Sequence, residues 1–210
     1  MTRRRVAVLI SGRGSNMEAL VAAAAAPGFP AEIVAVVADK PDAGGLARAA
    51  DAGIATRAVE RKSYPDRGAF EAALDTALRE AGAEFICLAG FMRILSANFV
   101  ARWPDRILNI HPSLLPSFRG LDTHARALEA GVKIHGVTVH IVTASLDDGP
   151  ILGQAAIPVL EGDTPDSLAA RILAVEHRLY PANLARHLGG LAAEAPKPAT
   201  LFSPPLPGTG

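Results

Sequence analysis

Three polar side chains in this sequence are of the types that acyl transfer requires. Asn109 and His111 belong to the run N-I-H-P-S at residues 109–113, and Asp147 belongs to the run L-D-D-G-P at residues 146–150. An amide N–H can donate to the oxygen that becomes negative in a tetrahedral intermediate, and a histidine can hold or release a proton near neutral pH. A carboxylate can orient that histidine and stabilise its charged form. Together they predict acyl transfer without a covalent enzyme intermediate.

Asn109 and His111 lie two positions apart in a predicted strand over residues 106–111. Strand side chains repeat every two residues, so both project from the same face. Pro112 has no backbone donor and ends the ladder, which leaves His111 at the carboxyl edge, where α/β sheets bind their ligands. From spacing alone, the two residues could equally satisfy loop backbone, and the D-D-G run could be an ordinary turn.

A glycine loop, S-G-R-G-S-N at residues 11–16, follows the first predicted strand. Backbone N–H groups at a helix start bind anions, and we expect Gly14, Ser15 and Asn16 to hold one. A dinucleotide fingerprint would place a third glycine where Met17 stands, and we expect no acidic residue at a strand end about twenty positions later. The loop therefore favours a single phosphate monoester, although a tight turn without a ligand would have a similar sequence.

The elements that must position these residues alternate between strand and helix. Near-continuous apolar runs are typical of buried parallel strands, and they occur at 6–11, 33–38 and 85–89. Helical patterns follow them at 16–26, 45–52 and 66–81. This alternation predicts an α/β fold with a doubly wound, mostly parallel sheet and helices on both faces.

The C-terminal half predicts two further features. Apolar runs at 134–143 and 151–160 flank a glycine and proline loop, which indicates an antiparallel hairpin added to the sheet. A long helix then begins with Thr164 as N-cap and Pro165 in its first position. We expect one domain over residues 1–192 and a proline-rich tail over 193–210 that has no apolar period.

Composition excludes several classes of protein. Lysine plus arginine and aspartate plus glutamate both number 21, so no overall field draws the chain to nucleic acid or to an anionic membrane. The single cysteine, Cys87, excludes an intrachain disulfide and favours a reducing, cytoplasmic setting. We find neither a signal peptide nor an apolar stretch long enough to span a membrane. The oligomeric state stays open at this point.

Rival chemistries lack their usual motifs. The sequence has no G-x-S-x-G elbow for a serine nucleophile, and Cys87 falls inside an apolar strand, where a buried and inert thiol is expected. No H-E-x-x-H or C-x-x-C pattern occurs, and His135 and His140 point to opposite faces of one strand. We therefore expect no metal. His140 either lines the cleft or is a hydrogen-bonded structural residue.

Four motifs, in this order, resemble those of the phosphoribosylglycinamide formyltransferase family, which are folate-dependent enzymes of purine synthesis. The motifs are I-S-G-R-G-S-N at 10–16, L-A-G-F-M-R-I-L at 88–95, L-N-I-H-P-S-L-L-P at 108–116 and L-D-D-G-P at 146–150. The likeness runs from about Val6 to Leu188, and the motifs are jointly highly specific.

The resemblance implies a Rossmann-like fold and transfer of the formyl group of 10-formyltetrahydrofolate to the amine of glycinamide ribonucleotide, on the route to IMP. In this family the asparagine, histidine and aspartate of the last two motifs are catalytic, which corresponds to Asn109, His111 and Asp147. The family requires no metal. Its substrates are small molecules rather than nucleic acids or membranes.

The resemblance also implies which residues bind the two substrates. The phosphate of the ribonucleotide corresponds to the glycine loop, at Gly14, Ser15 and Asn16, and the ribose corresponds to Glu176 in the last helix. The residues implied to contact the folate are Arg67, Met92, Arg93, Ile94, Leu95, Asn109, Thr143, Ala144, Ser145 and Leu146. The sequence departs from the common family pattern at Asp148, where a second glycine is often found.

Three other functions compete with this interpretation. A 10-formyltetrahydrofolate hydrolase has a similar core but usually carries an N-terminal regulatory domain, whereas the first predicted strand here begins at residue 6. A non-catalytic module that binds phosphorylated sugars would use the glycine loop but not Asn109, His111 and Asp147. A nicotinamide-dependent reductase is disfavoured by Met17 and by the expected lack of a ribose-binding acid.

Overall fold

The computed structural model describes residues 2–189, which form seven strands and six α-helices. The strands are β1 (Arg4–Ile10), β2 (Ala31–Ala38), β3 (Thr56–Ala58), β4 (Phe85–Leu88), β5 (Ile107–His111), β6 (Ile134–Ile141) and β7 (Ile151–Pro158). The helices are α1 (Ser15–Ala24), α2 (Gly44–Asp51), α3 (Arg67–Glu80), α4 (Ala97–Val100), α5 (Thr123–Glu129) and α6 (Pro165–His187), with a 3-10 helix at Arg61–Ser63.

One sheet contains all seven strands in the order β3-β2-β1-β4-β5-β6-β7. Strands β1 to β5 pair in parallel, whereas β6 runs antiparallel to β5 and β7 antiparallel to β6. The predicted fold class is therefore confirmed, including the added hairpin. The end of the predicted domain, at residue 192, and the predicted tail over 193–210 lie outside the described residues.

The two faces of the sheet are covered by different helices. Alternate residues of β1 point to opposite sides, so that Val6, Val8 and Ile10 pack in a cluster with residues of α1 and α6. Ala7 and Leu9 pack in a second cluster with residues of α3 and α4. Helices on both faces bury most residues of β1, β2, β4 and β5, and the carboxyl ends of those strands are left as the edge where ligands can bind.

Helix α6 attaches to the strand ends beside this edge. Its start is the predicted one, because the Thr164 side chain accepts from the Ser167 N–H and the Ser167 hydroxyl accepts from the Thr164 N–H. The buried Tyr180 hydroxyl donates to the carbonyls of Leu88 and Leu108, at 3.1 and 3.0 Å. The helix therefore fixes β5 one residue before Asn109 and β4 four residues before Met92.

Four short elements were not among our predictions, namely β3, the 3-10 helix, α4 and α5. The three residues of β3 are all exposed, and α4 has only four residues, so neither shows the apolar period that marks a longer element. No helix within residues 2–189 combines the length and the apolar character needed to cross a membrane.

Candidate active site

The loops that follow β1 and β4 meet at the carboxyl edge of the sheet. They enclose a cleft of about 250 Å³, lined by Ser11, Gly12, Arg13, Gly14, Ser15, Asn16, Ala89, Gly90 and Met92. Leu88 of β4 pairs with Asn109 of β5, so the cleft residues Ala89 and Gly90 lie one strand away from Asn109. The predicted anion-binding loop and the predicted catalytic strand are thus neighbours.

The glycine loop needs glycine at position 14. Gly14 is the N-cap of α1 and has a φ of 79°, a left-handed conformation that other residues rarely adopt. A Cβ atom at this position would lie 3.0 Å from the Cα atom of Gly45. The backbone of the loop therefore packs directly against the backbone at Gly45. The first turn of α1 faces the cleft.

Asn16 and Glu176 contact each other across α1 and α6. The Asn16 Nδ2 atom donates to the Glu176 Oε2 atom at 2.6 Å. Glu176 is only 7% exposed, and burial raises the pKa of its carboxyl while the bond from Asn16 acts in the opposite direction. The Asn16 amide, which we expected to face a phosphate, is thus directed at a carboxylate.

The structure brings Asn109, His111 and Asp147 together. The His111 Nδ1 atom lies 3.5 Å from the Asp147 Oδ2 atom, and both side chains are buried. The other carboxylate oxygen of Asp147 lies 3.8 Å from the Nε2 atom of His140, which in turn lies 3.2 Å from the Asn109 amide nitrogen. The three predicted catalytic residues therefore share one network, and His140 connects them.

His140 fixes the orientation of the Asn109 amide. Its Nδ1 atom lies 2.9 Å from the carbonyl of Ile141, so Nδ1 carries the proton and Nε2 accepts from the Asn109 N–H. Burial lowers the pKa of His140, against smaller opposing effects of the Ile141 carbonyl and the Asp147 charge. A neutral His140 therefore holds one amide hydrogen of Asn109 and leaves the second free to donate.

Sequence reasoning left the role of His140 open between cleft and structural residue. The register of the strands places His140 in the network at the cleft, because Asn109 of β5 and His140 of β6 stand directly opposite each other in the antiparallel pair. The signal was present in the sequence as two polar residues in neighbouring apolar strands. Finding it required the register of the two strands, which the sequence did not provide.

Backbone groups of the loop before α5 hold the histidine and the aspartate. The His111 Nε2 atom lies 3.0 Å from the carbonyl of Phe118, and the Gly120 N–H donates to the Asp147 Oδ2 atom at 2.9 Å. Both ring nitrogens of His111 thus face oxygen acceptors, an arrangement that a doubly protonated ring satisfies. Neither Phe118 nor Gly120 was predicted, because backbone groups carry no residue-type signal.

Asp147 has a left-handed backbone, with a φ of 49°. Aspartate tolerates this conformation better than most residues, and such strain concentrates at functional sites. The neighbouring Asp148, where the family often has glycine, points outwards and forms an ion pair with Arg119. Its charge is therefore neutralised by an arginine that lies next to Phe118 in the chain.

The predicted folate segment at residues 92–95 is anchored at several points. The Met92 N–H donates to the Ser11 hydroxyl at 2.8 Å, and the Arg67 guanidinium donates to the Ile94 carbonyl at 2.5 Å. Met92 and Ile94 are 67% and 61% exposed, whereas the Leu95 side chain is buried in the core. Two apolar side chains therefore stand in solvent beside the cleft, and Leu95 can offer a ligand only its backbone.

The expectation that no acid follows a strand near the glycine loop is wrong. Asp39 comes directly after β2 and is 2% exposed. The strand predicted over 33–38 ends directly before it, so the acid stood at a strand end in the sequence as well. Its Oδ2 atom accepts from the Arg93 guanidinium at 2.6 Å, so the acid anchors the 92–95 segment. A nicotinamide enzyme is still disfavoured, because Met17 stands in place of the third glycine and because Asp39 is paired with Arg93.

The remaining predicted folate residues lie in the loop that leads to Asp147. The Thr143 hydroxyl donates to the carbonyl of Ser145 at 3.2 Å, and Leu146 is 50% exposed. Ala144 and Ser145 are exposed as well.

The predicted inert thiol of Cys87 is buried in β4, and burial raises its pKa to about 12.

The comparisons with known proteins agree with this geometry. The family model described as formyl transferase matches residues 4–184. The chain belongs to the formyl transferase family. Phosphoribosylglycinamide formyltransferase of Escherichia coli K12 is 45% identical over 176 residues, which cover 84% of this chain and 83% of the relative. The chicken trifunctional purine biosynthetic protein adenosine-3 is 52% identical over 180 residues, but these are only 18% of that protein.

Solved structures of formyl transferases have the same fold. Phosphoribosylglycinamide formyltransferase from Brucella melitensis has a TM-score of 0.86 and is 59% identical, with 90% of this chain and 98% of that one covered. Glycinamide ribonucleotide transformylase 1 from Symbiobacterium toebii has a TM-score of 0.87 and is 47% identical, with 90% and 89% covered. Both superpose along nearly their whole length.

Proposed function

We propose that this formyl transferase moves the formyl group of 10-formyltetrahydrofolate to the amine of glycinamide ribonucleotide, as a phosphoribosylglycinamide formyltransferase of purine biosynthesis. The observation that supports this most directly is the network of Asn109, His111 and Asp147 one strand away from a glycine loop. A phosphosugar-binding module would have no use for that network. The E. coli and Brucella relatives carry this activity in their names, and each matches along most of its own length.

The chemistry follows from the groups in the network. The substrate amine attacks the formyl carbon, a C–N bond forms, and the carbonyl oxygen becomes negative. The free N–H of Asn109 donates to that oxygen, and a single such donor contributes on the order of 3 kcal/mol to the lowering of the barrier. The His111 ring lies 3.5 Å from the Asp147 carboxylate, so positive charge that forms on the ring as it takes part in proton transfer would be stabilised there.

Collapse of this intermediate completes the transfer. The bond from the formyl carbon to the folate N10 breaks, N10 takes up one proton, and the attacking nitrogen loses one. The low exposure of His111 and Asp147 excludes water from the charged pair and strengthens their interaction. No protein nucleophile and no metal is needed for these steps.

Each substrate has a proposed place. The phosphate of the ribonucleotide binds the loop at Gly14 and Ser15, and Glu176 accepts from ribose hydroxyls beside Asn16. The flat folate ring lies against the exposed apolar side chains of Met92 and Ile94 and against the loop at 143–146, whose backbone groups read its edge. Arg67 and Arg93 line a second depression of about 210 Å³ beside Ile94, where each also pairs with a carboxylate of the protein, Glu71 and Asp39.

The test is to incubate the protein with 10-formyltetrahydrofolate, with and without glycinamide ribonucleotide, and to follow the appearance of tetrahydrofolate. We expect release only when the amine is present. Release at the same rate without the amine would favour the hydrolase and refute the proposal. Tight binding of the ribonucleotide without any turnover would instead favour the phosphosugar-binding module.

A further inference from the structure

One short segment holds both members of the catalytic pair through its backbone. We call residues 117–122 the bracing segment. Within it, the Phe118 carbonyl lies 3.0 Å from the His111 Nε2 atom, and the Gly120 N–H donates to Asp147 at 2.9 Å. A small shift of this segment would move the imidazole relative to the carboxylate. Displacements of about 1 Å in such groups can cost a factor of 100 in rate.

The bracing segment adopts a conformation that its own sequence does not favour. Phe118, Gly120 and Asp122 have positive φ values of 56°, 79° and 55°. Only glycine adopts this region freely, and the other two residues are strained there. Contacts from outside the segment must therefore hold it in place.

Arg126 of α5 supplies such contacts. One nitrogen of its guanidinium donates to the carbonyl of Arg119 at 2.6 Å and faces that of Leu121 at 3.3 Å, on either side of Gly120. Its guanidinium carbon lies 5.8 Å from the ring centre of Phe118. The exposed Arg126 side chain thus contacts Phe118, which faces His111. It also contacts both neighbours of Gly120, which binds Asp147.

The ring of Phe118 is also supported by a buried histidine. The ring of His135 in β6 packs edge-on against it, at 5.9 Å between centroids, and the Nε2 atom of His135 lies 3.2 Å from Nδ1 of His124 in α5. Phe118 therefore lies between the ring of His135 and the guanidinium of Arg126. Arg126 is the member of this arrangement whose side chain reaches the carbonyls of the segment.

We propose that Arg126 is a positioning residue for the formyl transfer: it holds the bracing segment so that Phe118 and Gly120 fix His111 and Asp147 in their reactive arrangement. This inference depends on the proposed function, because it assigns Arg126 to that reaction. Arg126 touches neither His111 nor Asp147. Because its side chain is exposed, it contributes little to the free energy of unfolding, so its contacts matter chiefly for geometry.

The experiment compares wild type, Arg126→Ala, Arg126→Lys and Glu129→Ala as the control. Glu129 is an exposed residue of the same helix, outside the bracing segment. We expect Arg126→Ala to lower kcat about tenfold with both KM values and the unfolding midpoint nearly unchanged. Arg126→Lys should recover part of the loss, since an ammonium can donate to one carbonyl but lacks the planar fork. Glu129→Ala should match wild type.

Two results would overturn the inference. An unchanged kcat in Arg126→Ala would show that the segment keeps its place without the guanidinium. A joint loss of kcat, substrate affinity and thermal stability, without recovery in Arg126→Lys, would assign Arg126 to folding instead. Absence of formyl transfer in the wild type would refute the proposed function itself, and the role of Arg126 with it.

Discussion

The Nδ1 atom of His111 lies 3.5 Å from the Oδ2 atom of Asp147, and the same oxygen accepts from the Gly120 N–H. The carboxylate is therefore held by the backbone while it faces the imidazole. This arrangement keeps the charge of Asp147 next to His111. The histidine and the aspartate act as one unit in the proposed transfer.

Replacement of Asp147 by asparagine tests this unit. Asparagine keeps the volume, tolerates the left-handed backbone and still offers an oxygen to Gly120, so the fold should persist. It cannot stabilise the charged imidazole, and we expect kcat to fall by a factor on the order of 100 to 1,000. Steady-state kinetics measure the loss, and circular dichroism checks the fold.

The control for this variant is the adjacent Asp148→Asn. Asp148 is exposed and pairs with Arg119, so its replacement should change kcat less than threefold, as expected for a surface ion pair. Equal effects of the two substitutions would show that turnover depends on the total negative charge of the loop rather than on the contact of Asp147 with His111.

Glu176→Gln tests the ribose site. Gln has the same size as Glu and can still accept the hydrogen bond from Asn16, but it lacks the negative charge that strengthens hydrogen bonds from sugar hydroxyls. We expect the KM for glycinamide ribonucleotide to rise about tenfold, with the KM for the folate unchanged. Asp166→Asn, at the exposed start of the same helix, serves as the control. A rise confined to the folate KM would remove Glu176 from the ribonucleotide site.

Gly14→Ala and Gly28→Ala form a matched pair for the phosphate site. Their φ values are 79° and 80°, so both variants should lose about 1 kcal/mol of stability from the strained backbone. Only at position 14 would the new methyl group contact Gly45 and alter the loop. We therefore expect the KM for glycinamide ribonucleotide to rise in Gly14→Ala alone. A similar KM in the two variants would place the phosphate elsewhere.

The stability of the protein should depend on pH through His135. Burial, then the charge of His124, lowers the pKa of His135 from 6.5 to about 4, with the Pro112 carbonyl opposing and His111 adding to the effect. The unfolded chain therefore binds a proton at this residue between pH 6.5 and 4 that the folded chain does not. The stabilisation by neutral His135 is complete above pH 6.5 and is lost as the pH falls.

Urea unfolding of wild type and His135→Gln at several pH values checks this sign. The free energy of unfolding of wild type should exceed that of the variant most at pH 7, and the difference should shrink by on the order of 1 kcal/mol towards pH 4. A difference that stays constant or grows on acidification would show that His135 is not held neutral in the fold.

The sequence predicted most of the architecture and which polar residues meet at the candidate site, for identifiable reasons. Buried parallel strands leave continuous apolar runs, and the Thr164 and Pro165 pair marks a helix start, so these elements could be located. The alternation of Asn109 and His111 placed both on one face of a strand. The contact of Asp147 with His111 was expected from the residue types and from the family resemblance, and it is now seen as a distance.

The rest could not be predicted because it depends on register and on backbone groups. The pairing of His140 with Asn109 is a consequence of how β5 and β6 align. The carbonyl of Phe118 and the N–H of Gly120 exist in every sequence, so their roles leave no trace in residue types. The pairing of Asp39 with Arg93 joins the ends of two different strands, so it too depends on how the strands are arranged.

The fate of a labelled formyl carbon tests the central claim most directly. The protein would be given 10-formyltetrahydrofolate with ¹³C in the formyl group, together with glycinamide ribonucleotide, and the label followed by NMR. We predict that the label appears as the formamide of the ribonucleotide in step with the release of tetrahydrofolate. Label that appears as free formate while the ribonucleotide stays unmodified would contradict the account.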